Sequence, residues 1–234
     1  RGGRRPRLPG GASGRGGSRS PALKVQVVGI VDVLRAFTVS AYALAGGAQE
    51  VIYVPELEEA RELAKRIPGS VLSAEVDGLP VEGVEISNSP TMVAAADLDG
   101  RTLVQRSSAG IQVLSRAAGS DPVFAVSLVV AAATARRIRE LDPDEVTLVP
   151  SRPDHPEDPA CVAYLKALLE EQPANLEALL TPLRSSDRYR ELMAGTTPGF
   201  PASDLTLALD ADRFDFPLPV ERGPHGYLRV RRSR

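Results

Sequence analysis

From Lys24 onward the chain alternates between two textures, and that alternation constrains the fold more than any other feature. Short β-branched runs lie at 24–33, 50–54, 70–75, 101–108, 122–127 and 145–151. Stretches rich in alanine and leucine, with helical spacing, separate them at 34–47, 55–67, 89–97, 109–119 and 128–141. Gly46-Gly47 and Gly119 stand where helices end, and Pro90 suits a first helical turn after a Ser89 cap. Runs that are apolar throughout suit parallel strands covered on both faces. Strand and helix in alternation predict an α/β fold of three layers: a mainly parallel sheet, helices on both faces and right-handed crossovers.

Beyond Asp158 the pattern becomes helical. Segments 159–172, 174–183 and 186–195 carry helical spacing, the first placing Val162, Leu165, Leu168 and Leu169 on one face. A proline-rich stretch and the run YLRVRR (227–232) close the chain. The expected organisation is one α/β domain over 23–222, whose part from 158 to 222 is mostly helical, and a basic tail over 223–234. Residues 1–22 hold arginine, glycine, serine and proline, no acid and almost nothing that could join a core. Such a segment cannot offset its ordering entropy, so a disordered tail is expected. It has no apolar h-region and does not read as a secretory signal.

Composition narrows the function classes. Net charge is −2, so no charge excess argues for nucleic acid or membrane. The arginine-rich ends raise nucleic-acid binding as one reading, yet five Phe and five Tyr offer little stacking platform. No apolar run approaches the roughly 18 residues of a membrane span. Cys161, the single cysteine, permits no intrachain disulfide and suits a reducing cytoplasm. With His155 and His225 the only histidines, a histidine-rich zinc or copper site is disfavoured. Carboxylates are abundant, so a bound metal should be hard and oxygen-ligated, as Mg²⁺ is.

Ligands of open α/β sheets bind beyond the carboxyl ends of the strands. Here the first run ends at Asp32, with Arg35 opening the next helix. The third ends at Glu75, the fourth at Ser107-Ser108, the fifth at Ser127 and the sixth at Ser151, before the loop RPDHPEDP. Carboxylates for a metal, with hydroxyls and helix amides for phosphate, are what a metal–phosphate site requires. The serines are equally suited to capping helices. Asp32 follows an apolar run and needs a cation or donors, and Arg35 alone could supply them. Asp154, His155, Glu157 and Asp158 either bind metal or form a solvated loop. Phosphate-loop, dinucleotide and nucleophile-elbow motifs are missing.

Four blocks in order resemble the 2-phosphosulfolactate phosphatase family: VDVLRAFTVSAYALAGGAQEVIYV (31–54), PVEGVEISNSPTMV (80–93), PEDPACVAYL (156–165) and ALDADRFDFPLPV (208–220). The resemblance implies Mg²⁺-dependent hydrolysis of phosphosulfolactate to sulfolactate and phosphate. It makes Asp32, Glu75, Glu157 and Asp158 metal or catalytic carboxylates, with Asp158 as general base and Asp32 catalytic too. Arg35, Asn88 and Ser89 would handle anionic oxygens, and Ser107 and Ser108 stand where the family has a hydroxyl-rich segment. The expected partner is a small phosphorylated acid, and a homo-oligomer is compatible with the sequence. Val76, Ala109 and Val130 replace polar family positions. If those gaps fall in the site, the alternative is a catalytically weakened relative that binds a small anion or a protein partner.

Overall fold

A computed structural model describes residues 25–117, 119, 122–223 and 226–232. The expected tail over 1–22 lies outside the described residues. Each run expected as a strand forms one: β1 (Gln26–Val31), β2 (Glu50–Tyr53), β3 (Val71–Val76), β5 (Thr102–Arg106), β6 (Val123–Val126) and β7 (Glu145–Pro150). Between them lie α1 (Ala36–Ala45), α2 (Leu57–Arg66), α3 (Pro90–Ala95), α4 (Gly110–Ala117) and α5 (Ala131–Glu140), the last preceded by a 3₁₀ turn at Leu128–Val130. The C-terminal part is helical: α6 (Glu157–Leu169), α7 (Leu176–Arg184), α8 (Asp187–Met193) and α9 (Ser203–Ala208). Local chemistry accounts for several ends. Ser89 caps α3 by accepting from the Met92 amide, with Pro90 at the first position. Asn175 and Ser186 cap α7 and α8 in the same way. Helix α2 opens with Glu58 and Glu59 and closes with Lys65 and Arg66, complementing its dipole.

Three short strands went unforeseen: β4 (Leu79–Pro80), β8 (Leu218–Arg222) and β9 (Leu228–Val230). The full sheet runs β4-β3-β5-β2-β9-β8-β6-β1-β7. Its two parallel triplets, β3-β5-β2 and β6-β1-β7, are joined by the antiparallel pair β8–β9. This corrects the basic tail expected over 223–234. Residues 228–230 occupy the middle of the sheet, where Val230 is fully buried and Leu228 nearly so. Arginines in the run conceal a strand whose alternate residues face the core.

Three successive antiparallel pairings reverse the sense of one triplet relative to the other. In a flat ladder their carboxyl ends would lie on opposite edges. Residues at the carboxyl ends of β1, β3 and β5 nevertheless line one cavity, and β8 divides its pairing, Leu218–Val220 with β6 and Glu221–Arg222 with β9. Helix α1 has eight of its ten residues buried. One core cluster joins its Phe37, Val39 and Leu44 to Ile30 and Val123 of one triplet and to Val51 and Leu103 of the other. A helix apolar all round has to be enclosed, and the sequence AFTVSAYALA is such a helix. On the outer faces, Val27 and Val31 pack towards Leu165 and Leu180, while Ile52 and Val104 pack with Leu63 of α2.

Candidate active site

The carboxyl ends of β1, β3 and β5 open onto a cavity of about 420 Å³. Three acidic residues line it, the buried Asp32 and Glu75 and the exposed Asp77, as do Arg35, Arg152 and Arg188. Asn88, Ser108 and His155 add neutral polar groups. The cavity therefore presents both what a metal needs and what an anion needs.

Asp32 leaves β1 and is 3% exposed. Its Oδ1 accepts from the Ala36 amide at 3.0 Å, and its Oδ2 from the Gly110 amide at 2.8 Å. Two helix N-termini, those of α1 and α4, thus converge on one carboxylate. Burial outweighs these amides and, with Glu75 and Glu157 nearby, raises its pKa from 3.8 to about 6. Glu75 accepts from the Ser108 amide, from the Gly78 amide at 2.6 Å and from the Ser108 hydroxyl at 3.1 Å.

Arg35 is not the partner of Asp32. Its Nη1 donates to Asp204 Oδ2 at 2.8 Å and to the Gly199 carbonyl at 2.5 Å. The Phe200 ring covers the guanidinium at 4.3 Å. Asn88 accepts from Gln105 Nε2 at 3.0 Å through its carbonyl and lines the cavity. Ser108 also lines it, and its hydroxyl bridges the Asp77 amide, Arg106 and Glu75. Ser89 and Ser107 are absent from the cavity lining. Ser107 accepts from the Ile111 amide, and Ser89 caps α3 while donating to Asp204 Oδ1 at 2.7 Å. Both serines thus accept from helix amides, and Ser89 adds its bond to Asp204.

Glu157 and Asp158 open α6 behind the cavity wall and are absent from its lining. Asp158 accepts from the Val33 amide at 2.9 Å, the Ser151 hydroxyl at 2.9 Å and the Arg152 amide at 3.0 Å. It ties the loop after β1 to the loop after β7. Burial, followed by the Asp32 charge, pushes its pKa up to about 8. The structure thus places Asp158, expected as the base, against loop amides and the Ser151 hydroxyl and outside the cavity lining. Glu157 Oε1 accepts from Arg188 Nη2 at 3.0 Å, while its Oε2 is buried without a partner among the described residues. Of the three departures from the family pattern, Ala109 alone lines the cavity. Val130 is a core residue at 0% exposure, and Val76 lies on the surface.

Among the cavity residues to which the family resemblance gave no role are Arg152, His155, Arg188 and Phe200. The first two lie in the acidic loop after β7, whose position after a strand was the available signal. Nothing in SDRYRELMAG (186–195) marks Arg188 as a site residue. Asp204 resembles any acid in a first helical turn.

No group of three or more His, Cys, Asp or Glu side chains among the described residues is arranged to hold a metal. Mg²⁺, however, is commonly held by one or two carboxylates, substrate phosphate and water. Asp32 and Glu75, both carboxylates facing one cavity, fit that donor set.

A family model described as 2-phosphosulpholactate phosphatase matches residues 18–195. The chain belongs to that family. A relative from Bacillus subtilis (strain 168), named "Probable 2-phosphosulfolactate phosphatase", is 32% identical over 143 residues, covering 60% of this chain and 63% of its own. One of the same name from Carboxydothermus hydrogenoformans is 37% identical over 150 residues, 63% of this chain and 62% of its own. Another from Thermoplasma volcanium is 29% identical over 189 residues, 80% of this chain and 85% of its own. Against the first two, the chain spans under two thirds of the relative's length. All the site carboxylates belong to the region matched by the 2-phosphosulfolactate phosphatase family, whereas Gly199, Phe200 and Asp204 follow it.

Proposed function

We propose that this chain hydrolyses a phosphomonoester of a small acid with Mg²⁺, as phosphosulfolactate and water give sulfolactate and phosphate. The observation that carries this reading is the cavity itself, where Asp32 and Glu75 share the walls with Arg35, Arg152 and Arg188. Carboxylates alone would repel a phosphate, and arginines alone would not recruit a hard cation. Together they suit a metal-neutralised phosphate on an acid bearing a further negative charge.

Asp32 and Glu75 would hold the ion, which when bound supplies positive charge against the phosphoryl oxygens and orients water. Arg35 keeps Nε and Nη2 without partners among the described residues, leaving a two-donor edge for phosphoryl oxygens. The Asn88 side-chain nitrogen also lacks a partner among the described residues and is a further donor. Arg152 and Arg188 are separate cations for the second acidic group. Of the two carboxylates expected to be catalytic from the sequence, Asp32 is the one that lines the cavity, where it would stand beside the water that the ion orients. Asp158 instead holds the two loops that set Asp32 and Arg152.

Phosphate release from a panel of phosphorylated acids, phosphosulfolactate among them, tests the proposal with and without Mg²⁺. Release should require both the metal and an acidic group beside the phosphate. Turnover undiminished by a chelator would remove Mg²⁺ from the reading. No release from any ester would remove hydrolysis.

A further inference from the structure

We infer that Asp204, beyond the region matched by the family, is a positioning residue that aims Arg35 into the cavity. The inference rests on the reading of Arg35 as the phosphate donor. Asp204 is fully buried, and both of its oxygens are committed. Oδ2 receives Arg35 Nη1 at 2.8 Å. Oδ1 receives the Ser89 hydroxyl at 2.7 Å and the Thr91 amide at 3.0 Å. The carboxylate is thereby fixed from three directions, and it fixes one corner of the guanidinium.

The preceding residues hold the same group. The Gly199 carbonyl accepts from Arg35 Nη1 and also from the Ser87 hydroxyl at 3.0 Å. Gly199 has φ +65°, and a Cβ there would lie 2.4 Å from Pro80 Cγ, so the carbonyl's placement depends on glycine. Phe200 covers the guanidinium face. With Nη1 occupied and one face covered, Nε and Nη2 are the donors that Arg35 has left, among the described residues, for a ligand in the cavity it lines. A planar donor pair binds phosphate in a bidentate way only if its plane is set in advance. The stretch 199–204 sets it.

The test is a double-mutant cycle in the 234-residue chain, with inorganic phosphate titrated by calorimetry at fixed Mg²⁺. Asp204→Asn should weaken phosphate binding at least tenfold in the folded protein. In an Arg35→Lys background the same change should cost under twofold, because the group it aims is gone. Phe200→Leu keeps the ion pair, removes the ring, and should show a smaller penalty with the same dependence on Arg35. It decides the matter if Asp204→Asn fails to fold. A purely structural Asp204 would lower the melting temperature and leave phosphate affinity unchanged, which overturns the inference. Equal penalties in both backgrounds overturn it too, while sparing Arg35 as the donor. Wild-type affinity in Arg35→Lys alone would instead overturn the underlying reading of Arg35.

Discussion

Asp32 Oδ2 lies 2.8 Å from the amide nitrogen of Gly110, and a Cβ on Gly110 would come within 2.5 Å of that same oxygen. Strand β1 and helix α4 meet there with no room for a methyl group. Gly110→Ala should cost about 1–3 kcal/mol by overpacking, measured by urea denaturation. Because the displaced group is Asp32, the variant should also lose any thermal shift with Mg²⁺. An alanine variant of wild-type stability and metal response would show that this contact does not define the site.

Mg²⁺ or Mn²⁺ should raise the melting temperature, and Asp32→Asn or Glu75→Gln should abolish the rise. A ligand that binds only the folded state at about 100 times its Kd adds roughly 2.7 kcal/mol. Differential scanning fluorimetry with and without metal measures it. A shift that survives in both variants places the metal elsewhere.

Burial raises the Asp32 carboxyl to about 6 and that of Asp158 to about 8, each from 3.8. The folded state then holds more protons than the unfolded chain between those limits. The associated stability is full below pH 3.8 and is lost as pH rises through about 6 and then about 8. His155, lowered by burial and by Arg188, acts oppositely near its ordinary value. The clean window is therefore pH 7 to 9, where chelator-treated protein should lose melting temperature with rising pH. Asp158→Asn should flatten that slope, whatever its absolute stability. An equally steep slope in the variant would remove Asp158 as its source.

Ser89→Ala should destabilise by about 1.5–3 kcal/mol, since hydrogen bonds to charged groups carry that much. The hydroxyl caps α3 and also donates to the buried Asp204. Ser107→Ala loses one long contact, 3.4 Å to the Ile111 amide, and should cost less. Chemical denaturation of the two variants compares them directly, and equal losses would argue against the link from Ser89 to Asp204.

Much of the site was legible because strand ends can be read locally. Asp32, Glu75 and Ser108 each follow or end an apolar run, and all three line the cavity with Arg35 and Asn88. Glu157 and Asp158 were found by the same logic, but side-chain direction placed them behind the wall. The two residues adjoin in the first turn of α6 and bind different partners, Arg188 and the loop amides. No sequence spacing encodes that division.

The sequence by itself determined the alternation of strands and helices, the capped starts of α3, α7 and α8, and the need to enclose α1. These follow from short-range chemistry: hydrophobic period, capping side chains and an all-round apolar helix. Tertiary structure alone decided that β8 and β9 enter between the two triplets. It also decided that Asp204, 169 residues from Arg35, becomes its counter-ion. A buried charge must find an opposite charge or donors wherever packing brings them, and sequence distance does not enter that requirement.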